Sequence, residues 1–471
     1  MKKRITFIAL AVILFVVAIA VLPKDKGADE IDRTVQKYAP MGASIAIIEQ
    51  GQIKEIRNYG YANKEEKKPV TDDTRFKIAS ISKTVTSYAV MQLVEAGKLD
   101  LDAPVNQYLT RWQIPKSEYN EEKVTLRRLM SHTAGLTGSN ENNYTTPLPT
   151  IDEALALHDV QLKREPGKQF EYSEFVGHGI CQLIIEEVTG MKFEDYMVEQ
   201  VFEPLGMQET DYSDTSNTKG ELAVPYAGTG CATPVTPIVM NGGGGVTTTS
   251  HDLALFGIAL MDYYDNGCGE MFRVQENTLS EGGYYGLGII PRKLSDGRTV
   301  YEHNGTLTGW NAQLVIEPQT KSGIAVVTNS DKAYYMTYEL MEVWSKLTLG
   351  EKVSDSLMAK VRQVFTGIQA VLLLCILLFG IILVSKIRKQ KLIRVKNPVR
   401  ISACIMIFVL CCICDVILFY KDWIFKWIWG MENYYLFTFF PPEFKYIQLE
   451  AGALLCLFLI RVCHTRKKIA S

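Results

Sequence analysis

The chain has 471 residues, a formal net charge of −2 and a hydrophobic fraction of 47%. That length allows two or three domains, and nothing in the charge balance suggests a nucleic-acid partner. The ten cysteines make neither a disulfide framework nor a zinc spacing, and no feature calls for a metal or an organic cofactor.

At the N-terminus, basic residues 2–4 precede an uncharged apolar run from Ile5 to Leu22. That is the form of a secretory signal or a signal anchor, with Ala18-Ile19-Ala20 as a candidate cleavage site. The first domain boundary is set at residue 28. Residues 42–61 hold two β-rich halves around Gln50-Gly51-Gln52, which reads as a hairpin. From Ser80 the apolar spacing becomes helical, with a stop at Gly97. Helical patterns continue to about residue 210. Strands return in YYGLGII, NAQLVIE and SGIAVVTN, and AYYMTYELMEVWSKLTL closes the segment as a helix. The order predicts an α+β domain with one antiparallel sheet and a helical lobe.

Three apolar runs follow, Thr366–Ser385, Ser402–Tyr420 and Tyr446–Cys463, the last carrying Glu450 and Arg461 near its ends. The loop KIRKQKLIRVKNPVR and the C-terminal RVCHTRKK are basic. The positive-inside rule therefore puts both in the cytoplasm and residues 29–365 outside. The expected layout is a globular domain over 29–352, a linker over 353–365, three transmembrane helices over 366–463 and a basic tail over 464–471. Asp415 and Glu450 lie toward the outer ends of their helices and read as interfacial residues.

Three short segments carry candidate chemistry. In FKIASISKTVTS, Ser80 and Lys83 share a face at a helix start, so an amine can sit beside a hydroxyl and take its proton. The helix N-terminus favours a developing anion. On spacing alone the pattern equally suits an N-capping serine with a solvated lysine, and the chain holds a second copy at Ser216–Lys219. In EPGKQFEYSEF, Pro166-Gly167 marks a turn, which places Tyr172 on a connection. A nearby Lys83 ammonium is expected to lower the tyrosine's pKa. In YEHNGTLTGW, Gly305 permits close backbone approach, the N–H of Thr306 can join that of Ser80 as an oxyanion hole, and His303 can donate to a substrate carboxylate or polar group.

These elements occur in one order, together with LMSHTAGL (129–136), IIEEVTG (184–190) and GGGGVTTTSHDLALFG (242–257). Over residues 30–350 the chain resembles the class C β-lactamase and D-alanyl-D-alanine peptidase family of serine hydrolases. The resemblance implies a five-stranded antiparallel sheet flanked by helices, with the site between sheet and helical lobe. It implies that Ser80 forms an acyl-enzyme, that Lys83 and Tyr172 move protons, and that His303, Gly305 and Thr306 line the substrate. His132 reads as structural. The family's Y-x-N motif is Tyr172-Ser173-Glu174 here. An ionised carboxylate only accepts, where an asparagine amide also donates, so Glu174 is expected to favour a substrate with a free amine. The resemblance implies a small-molecule or peptidyl substrate with a D-amino acid, cut at an amide or ester bond: a cell-wall peptide, a D-alanyl ester on a wall polymer or a D-amino-acid-capped natural product. The arrangement of signal, hydrolase domain and three helices also looks like membrane peptidases that uncap natural-product prodrugs. A penicillin-binding sensor acylated without turnover and a true β-lactamase are the alternatives.

Overall fold

The structure is a computed structural model. It describes residues 29–466 except 139–143, 145–146, 213–219, 229, 268, 281, 354–355, 390–391, 395–396, 421–426 and 428–437. The N-terminal apolar run, the Ser216–Lys219 copy, most of the aromatic stretch after residue 420 and the last five residues lie outside the described residues. The described chain divides into two compact units, residues 34–357 and, for the most part, residues 358–466.

In the larger unit, α1 (Glu30–Tyr38) leads into β1 (Gly42–Glu49) and β2 (Gln52–Asn63). The turn between them carries positive φ at both Gln50 and Gly51, the geometry that matches strand twist in a two-residue hairpin. A short strand, β3 (Lys68–Pro69), precedes α2 (Ile81–Glu95). A helical segment containing α3 (Val176–Thr189) and α4 (Ser250–Asp265) follows. The sheet then resumes with β4 (Ile290–Lys293), β5 (Thr299–Leu307), β6 (Trp310–Glu317) and β7 (Ser322–Thr328), and α5 (Tyr334–Leu349) closes the unit.

The sheet has seven strands in the order β4-β5-β6-β7-β1-β2-β3, with every adjacent pair antiparallel. This corrects the expected five. The five long strands are those with apolar patterns. The two additional ones, IPRK and KP, are short edges without alternation, and each contains a proline, which an edge tolerates because no neighbour needs its missing N–H. Strands β1, β6 and β7 are buried along almost their whole length. Ala46, Ile48, Leu314, Ile316, Ala325 and Val327 join the large core, and a Cβ on Gly257 of α4 would press on Leu314, Ile316 and Ile48 at 3.2–3.3 Å. The period of two sends Ile45, Ile47, Ile324 and Val326 to the other face. Helices on both faces explain why these strands read as continuous apolar runs.

In the smaller unit, α6 (Ser356–Arg388), α7 (Pro398–Tyr420) and α8 (Glu443–Val462) are the long helices among the described residues. The spans Leu357–Arg388 and Pro398–Asp415 are long and apolar enough to cross a membrane, which associates the protein with a bilayer. The third run forms α8, whose 20 residues are long enough but carry too many charges to join those two spans. Its polar residues have partners in the bundle. Arg362 on α6 pairs with Glu443 at 3.4 Å, and Gln448 donates to Asp415 at 3.1 Å. Glu450 is buried and bonds to Gln369. The two carboxylates read as interfacial are thus engaged by amides of neighbouring helices.

Candidate active site

Ser80 is fixed by its flanks. The segment Phe76–Lys77 pairs with Thr247–Thr248, and Ala79 is held in the left-handed region at φ 48°. Such a conformation in a non-glycine residue costs about 1–3 kcal/mol and persists only where the surroundings impose it. Ser80 then occupies the N-cap of α2, yet its side chain makes no capping hydrogen bond. It accepts instead from Lys83 Nζ at 3.0 Å. Lys83 is fully buried, not solvated, and its amine also donates to Gly243 O at 2.8 Å. Burial pulls its pKa down to about 7, against a smaller upward pull from Glu174.

Tyr172 lies on the non-helical connection after the Pro166-Gly167 turn. The residue is 39% exposed, while its hydroxyl end reaches Ser80 in a hydrogen bond. The Lys83 amine stands 5.1 Å from the ring centroid. The expected lowering of the tyrosine's pKa is not what the structure gives. Burial of the hydroxyl pushes it up, the Ser80 bond opposes this, and Glu174 and Tyr334 add to the rise. An ammonium that is itself easily deprotonated has little charge with which to lower a neighbour.

Strand β5 supplies the opposite wall. A Cβ on Gly305 would lie 2.0 Å from Ile78 O and 3.2 Å from the Ala79 side chain. Only glycine lets the strand approach the backbone that leads into Ser80. Thr306 follows, its hydroxyl donating to Asn311 Oδ1 at 3.0 Å. His303 is placed differently from the expectation. It is buried. Its Nδ1 donates to Asn304 O at 2.6 Å, so the proton is there, and its Nε2 accepts from the Tyr285 hydroxyl at 2.6 Å. Burial and Lys83 bring its pKa down to about 3. Neither nitrogen is free to donate to a substrate in this arrangement.

A serine, a buried lysine and a tyrosine thus meet at a helix start, walled by a glycine-bearing strand. The family described as Beta-lactamase matches residues 28–342. The chain belongs to the beta-lactamase family. As a member it is a serine hydrolase. It is 24% identical over 468 residues to Protein flp of Staphylococcus aureus (strain MRSA252), covering 93% of this chain and 91% of that protein. The octameric penicillin-binding protein homologue from Pyrococcus abyssi superposes with a TM-score of 0.58 at 26% identity, over 68% of this chain and 76% of that one. The D-stereospecific amidohydrolase from Streptomyces sp. shares the fold, with a TM-score of 0.54 at 22% identity, over 66% and 94% of the two chains.

Within this beta-lactamase-family site, Glu174 is exposed and near enough to Lys83 and Tyr172 to act on both. It departs from the family's asparagine. His132 holds the Tyr172 connection from both sides. Its carbonyl accepts from Glu171 N at 2.8 Å, and its Nδ1 accepts from Ser173 N at 3.0 Å. Sequence reasoning missed Gly243, whose carbonyl anchors Lys83. The signal was the run 242–245. A Cβ on Gly243 would meet Phe175 Cα at 2.9 Å, so the run is what allows the Tyr172 connection to close over it. Tyr285 and Tyr334 were also missed, because neither stands in a pattern that points to chemistry.

Proposed function

We propose that this protein is a membrane-anchored hydrolase that cleaves D-amino-acid amide or ester bonds through an acyl-enzyme on Ser80. The observation that carries this reading is the 3.0 Å contact between Ser80 and a lysine whose pKa is drawn to about 7. At neutral pH about half of such amines are free bases. Lys83 takes the Ser80 proton as the hydroxyl attacks the carbonyl. Tyr172, kept protonated by burial, passes a proton toward the leaving group. The N–H groups of Ser80 and Thr306 receive the oxyanion. A second water-borne attack, with the same groups in reversed roles, releases the acid.

The D-amino-acid assignment draws on the fold shared with the D-stereospecific amidohydrolase and on Glu174. A carboxylate at the mouth of the site can pair with a free amine, and it lacks the N–H donor that an asparagine amide would offer to a substrate's acyl-amide. Gly305 and Thr306 line the substrate side of β5, whereas His303 is buried with both nitrogens engaged. The basic loop and tail support an orientation with the hydrolase unit outside the cell and two or three helices in the bilayer.

The test is intact-protein mass spectrometry of the detergent-solubilised chain with penicillins, a fluorophosphonate, and amides and esters of D-amino acids with free or acylated amines. Adduct on wild type, none on Ser80→Ala, and accumulating acid product are expected. A long-lived adduct without product would replace the hydrolase reading with a sensor. Turnover unaffected by Ser80→Ala would end the acyl-enzyme reading.

A further inference from the structure

The motif histidine is enclosed in a chain of rings that ends at Tyr172. His303 Nε2 accepts from Tyr285 OH at 2.6 Å. The Tyr285 ring stands edge-on to His132, with centroids 4.9 Å apart at 76°. His132 lies against Tyr172 at 4.3 Å and 34°, the tightest ring contact in the site. Its backbone and Nδ1 hold the residues on either side of Tyr172, which takes a left-handed φ of 59° at His132 itself. Tyr285 is clamped in turn, its N–H donating to Thr278 Oγ1 at 3.2 Å. All three links, His303, Tyr285 and His132, are buried.

Resting on the hydrolase reading above, we infer that His303, Tyr285 and His132 form a buried positioning relay that sets the place of the Tyr172 hydroxyl. His303 thus acts on the reaction through Tyr285 and not by binding the substrate. Three features lead here. Both nitrogens of His303 are occupied. The imidazole is neutral, because burial beside Lys83 opposes a second proton. The path from its Nε2 to Tyr172 is continuous at contact distance. The groups that face the relay are Lys83, His178, Glu302 and Tyr172. A neutral, fully bonded imidazole is a poor receptor for a carboxylate but a good fixed acceptor for a phenol.

Relay and substrate-binding roles separate when the substrate's carboxylate is varied. Acylation of Ser80 in the full chain in detergent is measured with p-nitrophenyl butyrate, which has no carboxylate, and with benzylpenicillin, which has one. Tyr285→Phe and His303→Gln are each expected to slow both reagents by the same factor, about tenfold or more, since small misplacement of a proton-transfer group is costly. The double variant should be no slower than the slower single one, as for groups acting in series. Slowing of benzylpenicillin alone by His303→Gln, with Tyr285→Phe at wild-type rate, would overturn the relay.

A second measurement needs no turnover. The chain has six histidines, few enough to resolve by ¹⁵N NMR of the selectively labelled protein. His303 should stay neutral with its proton on Nδ1 between pH ~5 and ~8, where ordinary imidazoles titrate, and Tyr285→Phe should move the His303 and His132 signals together. A titrating His303, or a His132 signal that does not move, overturns the relay. Absence of acylation in wild type would sink the hydrolase reading and leave this result to decide the relay alone.

Discussion

In the proposed reaction one buried side chain, Lys83, sets the chemistry. Its proton is lost near pH 7, while burial keeps Tyr172 protonated well beyond that. The rate of Ser80 acylation is therefore expected to rise with pH through about 7 and to stay level until the tyrosine ionises. A flat profile across neutrality would remove Lys83 as the base. The same residue burdens the fold. Between pH 7 and 10.5 the unfolded chain holds a proton on Lys83 that the folded chain lacks, so stability rises with pH across that window, and the full cost is present below it. Lys83→Met should abolish acylation and raise the melting temperature more at pH ~6 than at pH ~10. Glu174→Asn should shift preference from substrates with a free amine toward N-acylated ones, with Ser80 still labelled by fluorophosphonate; equal preference in both proteins would sink the specificity role. Much of this site was legible at the level of residue types, because S-x-x-K, Tyr172 and His303 stand in recognisable strings. Their electrostatics were not. Whether a lysine is charged depends on burial, which the local string does not carry.

At the scale of elements, the site depends on how closely two backbones meet. Gly305 on β5 lies against Ile78 and Ala79 with no room for a methyl group. Gly305→Ala should push the strand from the Ser80 turn and cost about 1–3 kcal/mol. Acylation should fall far more than the melting temperature implies, because the Thr306 N–H moves with the strand. An equal fall in both, removed by assaying at low temperature, would mean that only stability was lost. The glycine was readable in the sequence as a point of close approach, but its partner was not, since residues 78 and 305 meet only through the fold. The same limit explains the sheet. Long buried strands announce themselves by apolar runs, and the hairpin by Gln50-Gly51. Short proline-bearing edges carry no period and were not visible. The Ser80 helix and its end near Gly97 followed from spacing alone, because α2 is set by local pattern.

At the scale of the whole molecule, residues 34–357 form a compact unit with its own core. A chain limited to residues 29–353 is expected to fold, to be labelled by fluorophosphonate on Ser80 and to leave the membrane fraction; loss of labelling in a folded truncation would give the helices a part in catalysis. His132, His178 and His303 are buried and held neutral. As pH falls below about 6.5 the unfolded chain gains protons there that the folded chain refuses, so stability should decline on the acid side. The division into a globular unit and apolar helices was plain from composition, whereas this histidine cluster was scattered over 172 residues of sequence and only the fold gathers it. The crowding at Gly243 and Gly305 also bears on how such an enzyme can evolve. Every codon change away from glycine adds a side chain, so these walls are closed to stepwise mutation. Exposed Glu174 faces no such barrier, and a lineage that diversifies its substrates would do so there first, leaving the machinery behind it untouched.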